Sequence, residues 1–390
     1  MPTGNKLLLY PIRRLLGSVL FYLAGMIPAS VLAADSCQPP TYGITGIQVD
    51  AEAATSDLAR KIASDEAVNI AWQQLAQRLL VNPQQFAEKW PAPDDDSNMQ
   101  DPSALLDFIH IIHENIQPGL YGAKQDFCFD RAKVRQWFEA RDLEYAETPS
   151  GRLLVLAVWN HPLKPRLWTQ PNPWSAAWER VLPGHDGLLR LAMPEGIAIE
   201  RFVDVEAVLE ATPLALSRAA KLEEAQQLLI TIATPKLGVG TVSLEVETKL
   251  FQPDGTAVAE VQPIRGKIIP VTDLQDSLDQ LASEILGGME SIWRQATQLD
   301  TRNARDFAIS IEATSLAEWT EQLAMLESHP LVLSLFVQRL HHGGGTVVIR
   351  LGGKLEALQA SMAQRGLWLQ PTTDKGQATG RLSLVKTKGE

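Results

Sequence analysis

Apolar residues in this chain switch period repeatedly, from alternate positions to steps of three and four, and the switches outline an ordered series of strands and helices. The Ile/Val alternation of Tyr42-Gly43-Ile44-Thr45-Gly46-Ile47-Gln48-Val49-Asp50 predicts a strand. A helix follows, in which Leu58, Ile62, Ala63, Ala67, Ile70, Ala71, Leu75 and Leu79 form a one-sided stripe. After an acidic, proline-containing loop at 91–102, the segment 104–116 reads as a second helix. Phe127-Cys128-Phe129 predicts a strand running into Asp130, an N-cap for a helix over 131–140 with Phe129 and Val134 as its hydrophobic staple. The nearly all-apolar run 152–159 predicts a central strand.

A proline-rich connection, 162–173, carries Trp168 and opens a helix that Asn172 caps and Pro173 starts, so Trp174 and Trp178 lie one turn apart on one face. Segments 228–233, 240–250 and 256–264 read as strands, the last two joined by the Pro253-Asp254-Gly255 turn. A helix over 273–298 turns Leu274, Leu278, Leu281, Ile285 and Ile292 toward them. The tail then reads strand 307–311, helix 315–327 (Leu316, Trp319, Leu323 and Leu326 inward), and strands 331–340 and 346–351. Helix 354–364 (Leu355, Leu358 and Met362 inward) and strand 367–370 complete it. That order, βαββαβ, is the ferredoxin-like sandwich, with 381–385 as an added edge strand. The expected fold class is therefore mixed α/β (α+β). An N-terminal α/β domain (34–161) and a middle α/β domain with a β-hairpin and a long helix (162–300) precede the ferredoxin-like domain (305–388).

The first residues change the picture from fold to address. Lys6, Arg13 and Arg14 precede an apolar run that ends in Val31-Leu32-Ala33, the pattern of an export signal peptide over 1–33 with an A-x-A-like cleavage site. The run is long enough to remain as an uncleaved membrane anchor, although Gly17, Gly25 and Pro28 interrupt it and favour cleavage. Cys37 follows Ala34-Asp35-Ser36, which does not fit a lipidation site. Both outcomes predict a periplasmic location. Loss of Lys6, Arg13 and Arg14 with the leader takes the formal charge from -11 to -14, which argues against nucleic acid and anionic lipid surfaces as partners. A hydrophobic share of 45% is that of a globular chain. In an oxidising compartment the two cysteines, Cys37 and Cys128, predict a disulfide from the mature N-terminus to the strand at 127–129, the alternative being two buried thiols.

Several of these segments resemble a known family. The strand with Val49-Asp50, the helix with Ala59-Arg60, Ala67, Leu75 and Arg78-Leu79, the Phe129-Asp130 helix start and the Val155-Leu156-Ala157-Val158-Trp159 strand are similar to the bacterial family called domain of unknown function 2066. Asn172-Pro173-Trp174, Leu191-Ala192-Met193-Pro194 and the helix after Asp204 resemble that family's downstream portion. The likeness covers roughly residues 40 to 300. It implies an exported envelope protein and a fold, and it transfers no catalytic residues. The paired cysteines and the longer acidic loop at Asp94-Asp95-Asp96 depart from the family's pattern.

Candidate chemistry is sparse. His110-Ile111-Ile112-His113-Glu114 would set two imidazoles three residues apart on a helix, but helical zinc peptidase pairs need i and i+4 spacing, and a third ligand is not indicated. His341-His342 before Gly343-Gly344-Gly345 reads as a hairpin tip rather than a phosphate loop, since no GK[ST] follows. No G-x-S-x-G elbow is present. Trp168, Trp174 and Trp178 are the one aromatic cluster suited to binding a partner or glycan, with helix packing as the plainer role. The expected protein is non-enzymatic, needs no cofactor, and binds or assembles with another envelope protein or a cell-wall component. The rival is an envelope hydrolase acting on peptidoglycan or peptides through His110, His113 and Glu114.

Overall fold

Thr55 turns the chain from β1 (Gly43–Glu52) into α1 (Ser56–Leu79), its hydroxyl accepting the Leu58 amide at 3.2 Å and satisfying one orphan donor of the helix. This and every later element belong to a computed structural model that describes residues 37–90, 101–195, 197–374 and 377–386. The expected leader at 1–33 and the acidic triplet Asp94-Asp95-Asp96 lie outside the described residues. Alanines 59, 63, 67 and 71 are fully buried on α1 and bring the helix close to an antiparallel sheet of order β1-β3-β2, where β2 is Leu106–Gln117 and β3 is Leu120–Phe129. The short α2 (Gln84–Lys89) and α3 (Arg131–Glu139) close an aromatic core around Trp72, whose ring centroid lies 5.0 Å from that of Trp137. Asp130 caps α3 by accepting the Lys133 amide at 3.0 Å, and Phe129 and Val134 are both buried beside it. Cys37 and Cys128 form a disulfide, with Cα atoms 5.3 Å apart.

Two expectations for this region are corrected. The segment 104–116 is not a helix: apart from a short 3-10 turn, it is the edge strand β2. Its isoleucines recur at helical as well as strand spacing, and pairing with β3 through the Pro118-Gly119 turn, with Gly119 at φ +74°, decides for the strand. Leu58 and Ile62, expected inward on α1, are exposed, and the helix instead buries Val68, Trp72 and Ala76.

After the two-residue strand β4 (Tyr145–Ala146), β5 (Arg152–Asn160) enters a six-stranded sheet and is buried from Leu153 to Trp159. Its neighbours are β6 (Pro165–Arg166), β7 (Arg190–Ala192) and β8 (Gln227–Leu237). The hairpin of β9 (Thr241–Phe251) and β10 (Ala257–Pro270) extends the sheet beyond β8, with Gly255 at φ +86° in the turn. β5 runs parallel to β8 from Leu153 to Trp159, so one sheet spans the expected boundary near residue 161. α4 (Pro173–Val181) and α8 (Leu274–Ala296) cover one face, while α5 (Ile197–Glu200), α6 (Val205–Leu209) and α7 (Pro213–Leu222) belong to the core of the other. Asn172 joins α4 to the sheet. Its side-chain oxygen accepts the Trp174 and Ser175 amides, and its nitrogen donates to the Ala157 carbonyl at 2.9 Å. Ile292, expected inward on α8, is exposed.

The strand β11 (Gln298–Leu299), paired with β4, leads to the C-terminal sheet. Its elements are β12 (Arg305–Glu312), α9 (Leu316–Glu327), β13 (Val332–His341), β14 (Gly344–Leu351), α10 (Leu355–Ala363), β15 (Leu367–Asp374) and β16 (Gln377–Lys386). The βαββαβ series forms as expected, but the order is β13-β14-β12-β16-β15. The last strand is therefore not the edge: it inserts between β12 and β15, parallel to the first and antiparallel to the second. Leu382 and Leu384 explain the choice, because both are buried with Ile309 and Ile311, apolar surface that an edge position would leave half wet. Ser315 caps α9, and Leu316 points out rather than in. The His341-His342 tip turns through Gly343 at φ +94°. A Cβ on Gly345 would meet the Trp319 ring at 2.6 Å, so the glycine run lets β14 lie over that tryptophan.

Candidate binding surfaces

The residues that carried the metal expectation do not converge. Pairing with Asp126 and Lys124 puts His110 and His113 on the face of the first sheet away from α1, while Glu114, opposite Ala123, faces the helix and pairs with Arg60 at 3.4 Å. His110 Nδ1 lies 3.7 Å from Asp126, and the residue across from His113 is a cation, Lys124. A lysine in that place repels a metal ion. Among the described residues no group of three His, Cys, Asp or Glu side chains is arranged to hold one.

The tryptophan cluster is divided by the middle sheet. Trp174 and Trp178 are fully buried in the core under α8, edge to face at 5.9 Å, with Trp174 Nε1 donating to Thr231 Oγ1 at 3.3 Å. Trp168 packs against the core of the opposite face and donates to the Val203 carbonyl at 2.6 Å. The pair holds α4 on the sheet and presents no aromatic surface to solvent.

Buried charge is concentrated where the three parts of the fold meet. Glu147, just after β4, accepts from the Tyr42 hydroxyl and from the guanidinium groups of Arg131 and Arg135, the Arg131 contact measuring 2.6 Å. Burial alone would raise this carboxyl, but the hydrogen bonds from Arg135 and Arg131 outweigh it and hold the group below its ordinary range. Arg135 also donates to the Pro330 carbonyl at 3.3 Å, tying α3 to the C-terminal sheet. Beside it, burial and the charge of Arg365 pull His329 down to about 3. Arg78 on α1 reaches the carbonyls of Thr41 and Gly43, both at 2.7 Å, and pairs with Asp186. Glu290 on α8 accepts the Leu189 amide at 2.7 Å and faces His185 at 3.0 Å. Trp293 Nε1 donates to the Thr148 carbonyl at 2.8 Å, and Gln364, at the C-terminal end of α10, accepts the Gly151 amide at 2.8 Å. Most of these groups pair with one another, while Glu290 Oε2, His329 Nε2 and Gln364 Nε2 are buried without a hydrogen-bond partner. They bolt the regions together.

Exposed apolar surface, by contrast, collects on the strand that the sequence reading misjudged. β2 pairs only with β3 among the described residues, and Ile109, Ile111, Ile112 and Ile116 are 44%, 41%, 48% and 53% exposed. Ile109, Ile111 and Ile116 stand opposite Phe127, Gln125 and Tyr121, on the α1 side of the sheet but beyond the helix. Register shifts divide the strand into two regular stretches, 108–111 and 113–117. The signal that would have found this edge was the β-branched run followed by Pro118-Gly119.

No family model matches the chain, and no curated protein does. Distant structural similarity is found to solved bacterial proteins. The hypothetical protein CT253 from Chlamydia trachomatis is matched over 36% of this chain and 96% of its own, at 14% identity and a TM-score of 0.24. The lipoprotein GNA1162 from Neisseria meningitidis is matched over 35% and 96%, at 14% identity and a TM-score of 0.23. For the C-terminal domain of LpoB from Salmonella enterica the values are 34%, 92%, 15% and 0.19. At these scores the likeness carries no functional argument.

Proposed function

We propose that this is an exported, envelope-associated protein that works by binding rather than catalysis, and that it recruits another envelope protein by strand addition along β2. The observation that carries the reading is the apolar edge of β2. A long sheet edge offers unpaired amide and carbonyl groups in a row, and soluble proteins ordinarily blunt such edges with charge, proline or a covering element. Asp107, Glu114 and the register shift at Ile111/His113 interrupt this edge, yet four exposed isoleucines accompany it, which suits a partner strand contributing alternate apolar side chains. The export signal at 1–33 and the Cys37–Cys128 disulfide, a bond that persists in oxidising compartments, support the location.

A photoreactive residue at Ile112, irradiated in cells, is expected to trap a discrete partner identifiable by mass spectrometry. The same residue at Leu214, which is exposed on the helix α7 and belongs to no strand, traps none. Ile111→Lys is expected to reduce the Ile112 adduct at least tenfold. Equal trapping at both positions would refute the assignment.

A further inference from the structure

The C-terminal sheet has one face under α9 and α10, where Ile309, Ile311, Val347, Ile349 and Leu351 are buried with Trp319 and Met362. Alternation sends the intervening residues to the other face. Across it, paired positions line up as Arg339, Thr346, Ser310, Ser383 and Gln370, one from each of the five strands. That band of hydroxyl, amide and guanidinium groups spans about 19 Å at the usual spacing between strands. Aromatic residues stand on its two sides at opposite edges: Phe336 on β13, 70% exposed, and Trp368 on β15, 46% exposed. Near the Trp368 corner the face meets a cleft of about 540 Å³ lined by Glu312, Thr314, Glu318, His342, Val385 and Lys386, and Val385 is the direct neighbour of Trp368.

We propose that this face binds a linear, uncharged glycan strand of N-acetylated sugars, its rings stacked on Trp368 and Phe336 and its hydroxyl and amide groups hydrogen-bonded along the band. The C–H face of a sugar ring lies flat on an aromatic ring, whose negative face attracts the slightly positive C–H groups. The floor between the aromatics is made of Ala308, Ser310, Thr346, Val348 and Ser383, side chains too small to interlock with a protein partner, whose interface needs a closely packed apolar centre. Among the described side chains both signs of charge stand on this face, with Asp306 4.0 Å from Arg350 and Glu312 on the same side as Arg339, unlike the one-sign surface that a polyanion such as RNA needs. The width suits an oligosaccharide rather than a single sugar, and the cleft has the size of an ordinary small-molecule site for the terminal ring.

The test is titration of the purified protein with chitotetraose, the β-1,4-linked tetramer of N-acetylglucosamine, followed by calorimetry and tryptophan fluorescence. Saturable binding is expected, weakened at least tenfold by Trp368→Ala and by Phe336→Ala and retained by Trp368→Phe. Each variant should melt within a few degrees of the parent, because both side chains project from the sheet. Absence of binding at millimolar sugar, binding undiminished in both alanine variants, or equal displacement by oligouridylate would each overturn the proposal. Ile111→Lys should leave sugar binding intact, which keeps this outcome separate from that of the β2 reading.

Discussion

The first and last sheets are built alike, each with helices on one face, yet they leave different surfaces for solvent. In the first, the free face is pinned at one end by the disulfide. Cys128 pairs with Gly43 and Phe108, and a Cβ on Gly43 would meet Cys37 at 3.1 Å. What remains apolar and open is an edge. In the last sheet the apolar strand β16 has been drawn inside and the open surface is a face, with small polar residues between two aromatics. An edge offers backbone hydrogen bonds and a flat face offers side chains, so the two proposals made above assign different classes of partner to two sheets of one layered architecture.

The strongest way to break this comparison is to remove the pin. Cys37→Ser with Cys128→Ser opens a loop of 91 residues and is expected to cost on the order of 4 kcal/mol in urea unfolding. Hydrogen exchange should quicken in β1 and β3 and change little in β12 and β14. Equal loss of protection in both sheets would mean that they unfold as one unit and that their surfaces are not independent.

Acid should act on the joint between them. His329 has a folded value of about 3 against an ordinary 6.5, so its contribution is whole above pH 6.5 and falls away as the unfolded chain takes up a proton below it. Glu147, held below its ordinary 4.5, contributes fully above that value and is lost at still lower pH, as the folded carboxylate protonates. Between pH 6.5 and 5 the His329 part amounts to about 2 kcal/mol. Urea midpoints measured across that range should fall in the parent and stay nearly level in His329→Gln. A parent with no slope there would remove the histidine from the joint.

The smallest effect sharpens the comparison instead. Phe336→Ala, at 70% exposure, should change stability by less than about 1 kcal/mol, and Trp368→Ala, at 46%, by about 1–2 kcal/mol through the half of the ring that is covered. A loss several times larger would make these residues part of the fold and not of its surface.

How much of this was legible depended on how local each signal was. The caps at Asp130, Asn172 and Ser315, the Pro253-Asp254-Gly255 turn and the central strand at 153–159 follow from neighbours in sequence and formed where the pattern placed them. The pairing of Cys37 with Cys128 was readable because only two cysteines exist. The role of 104–116 was not, because isoleucine spacing fits both periods and β3 settles the matter from outside the segment. Leu58, Ile62, Ile292 and Leu316 carry an inward signature that the available neighbours do not honour. The separation of Trp168 from Trp174 and Trp178 depends on which side of the middle sheet each crosses. By itself the sequence determined the kinds of element, their caps and the extracytoplasmic address it predicts, since local hydrogen bonds, periodicity and leader composition act over a few residues. The inserted position of β16, the exposed edge of β2 and the burial of Glu147 between two regions were decided only by tertiary structure. The contacts behind them, such as Ile309 beside Leu382 and Tyr42 on Glu147, join parts of the chain that no local pattern relates, and they are fixed by competition for the same neighbours and the same protection from water.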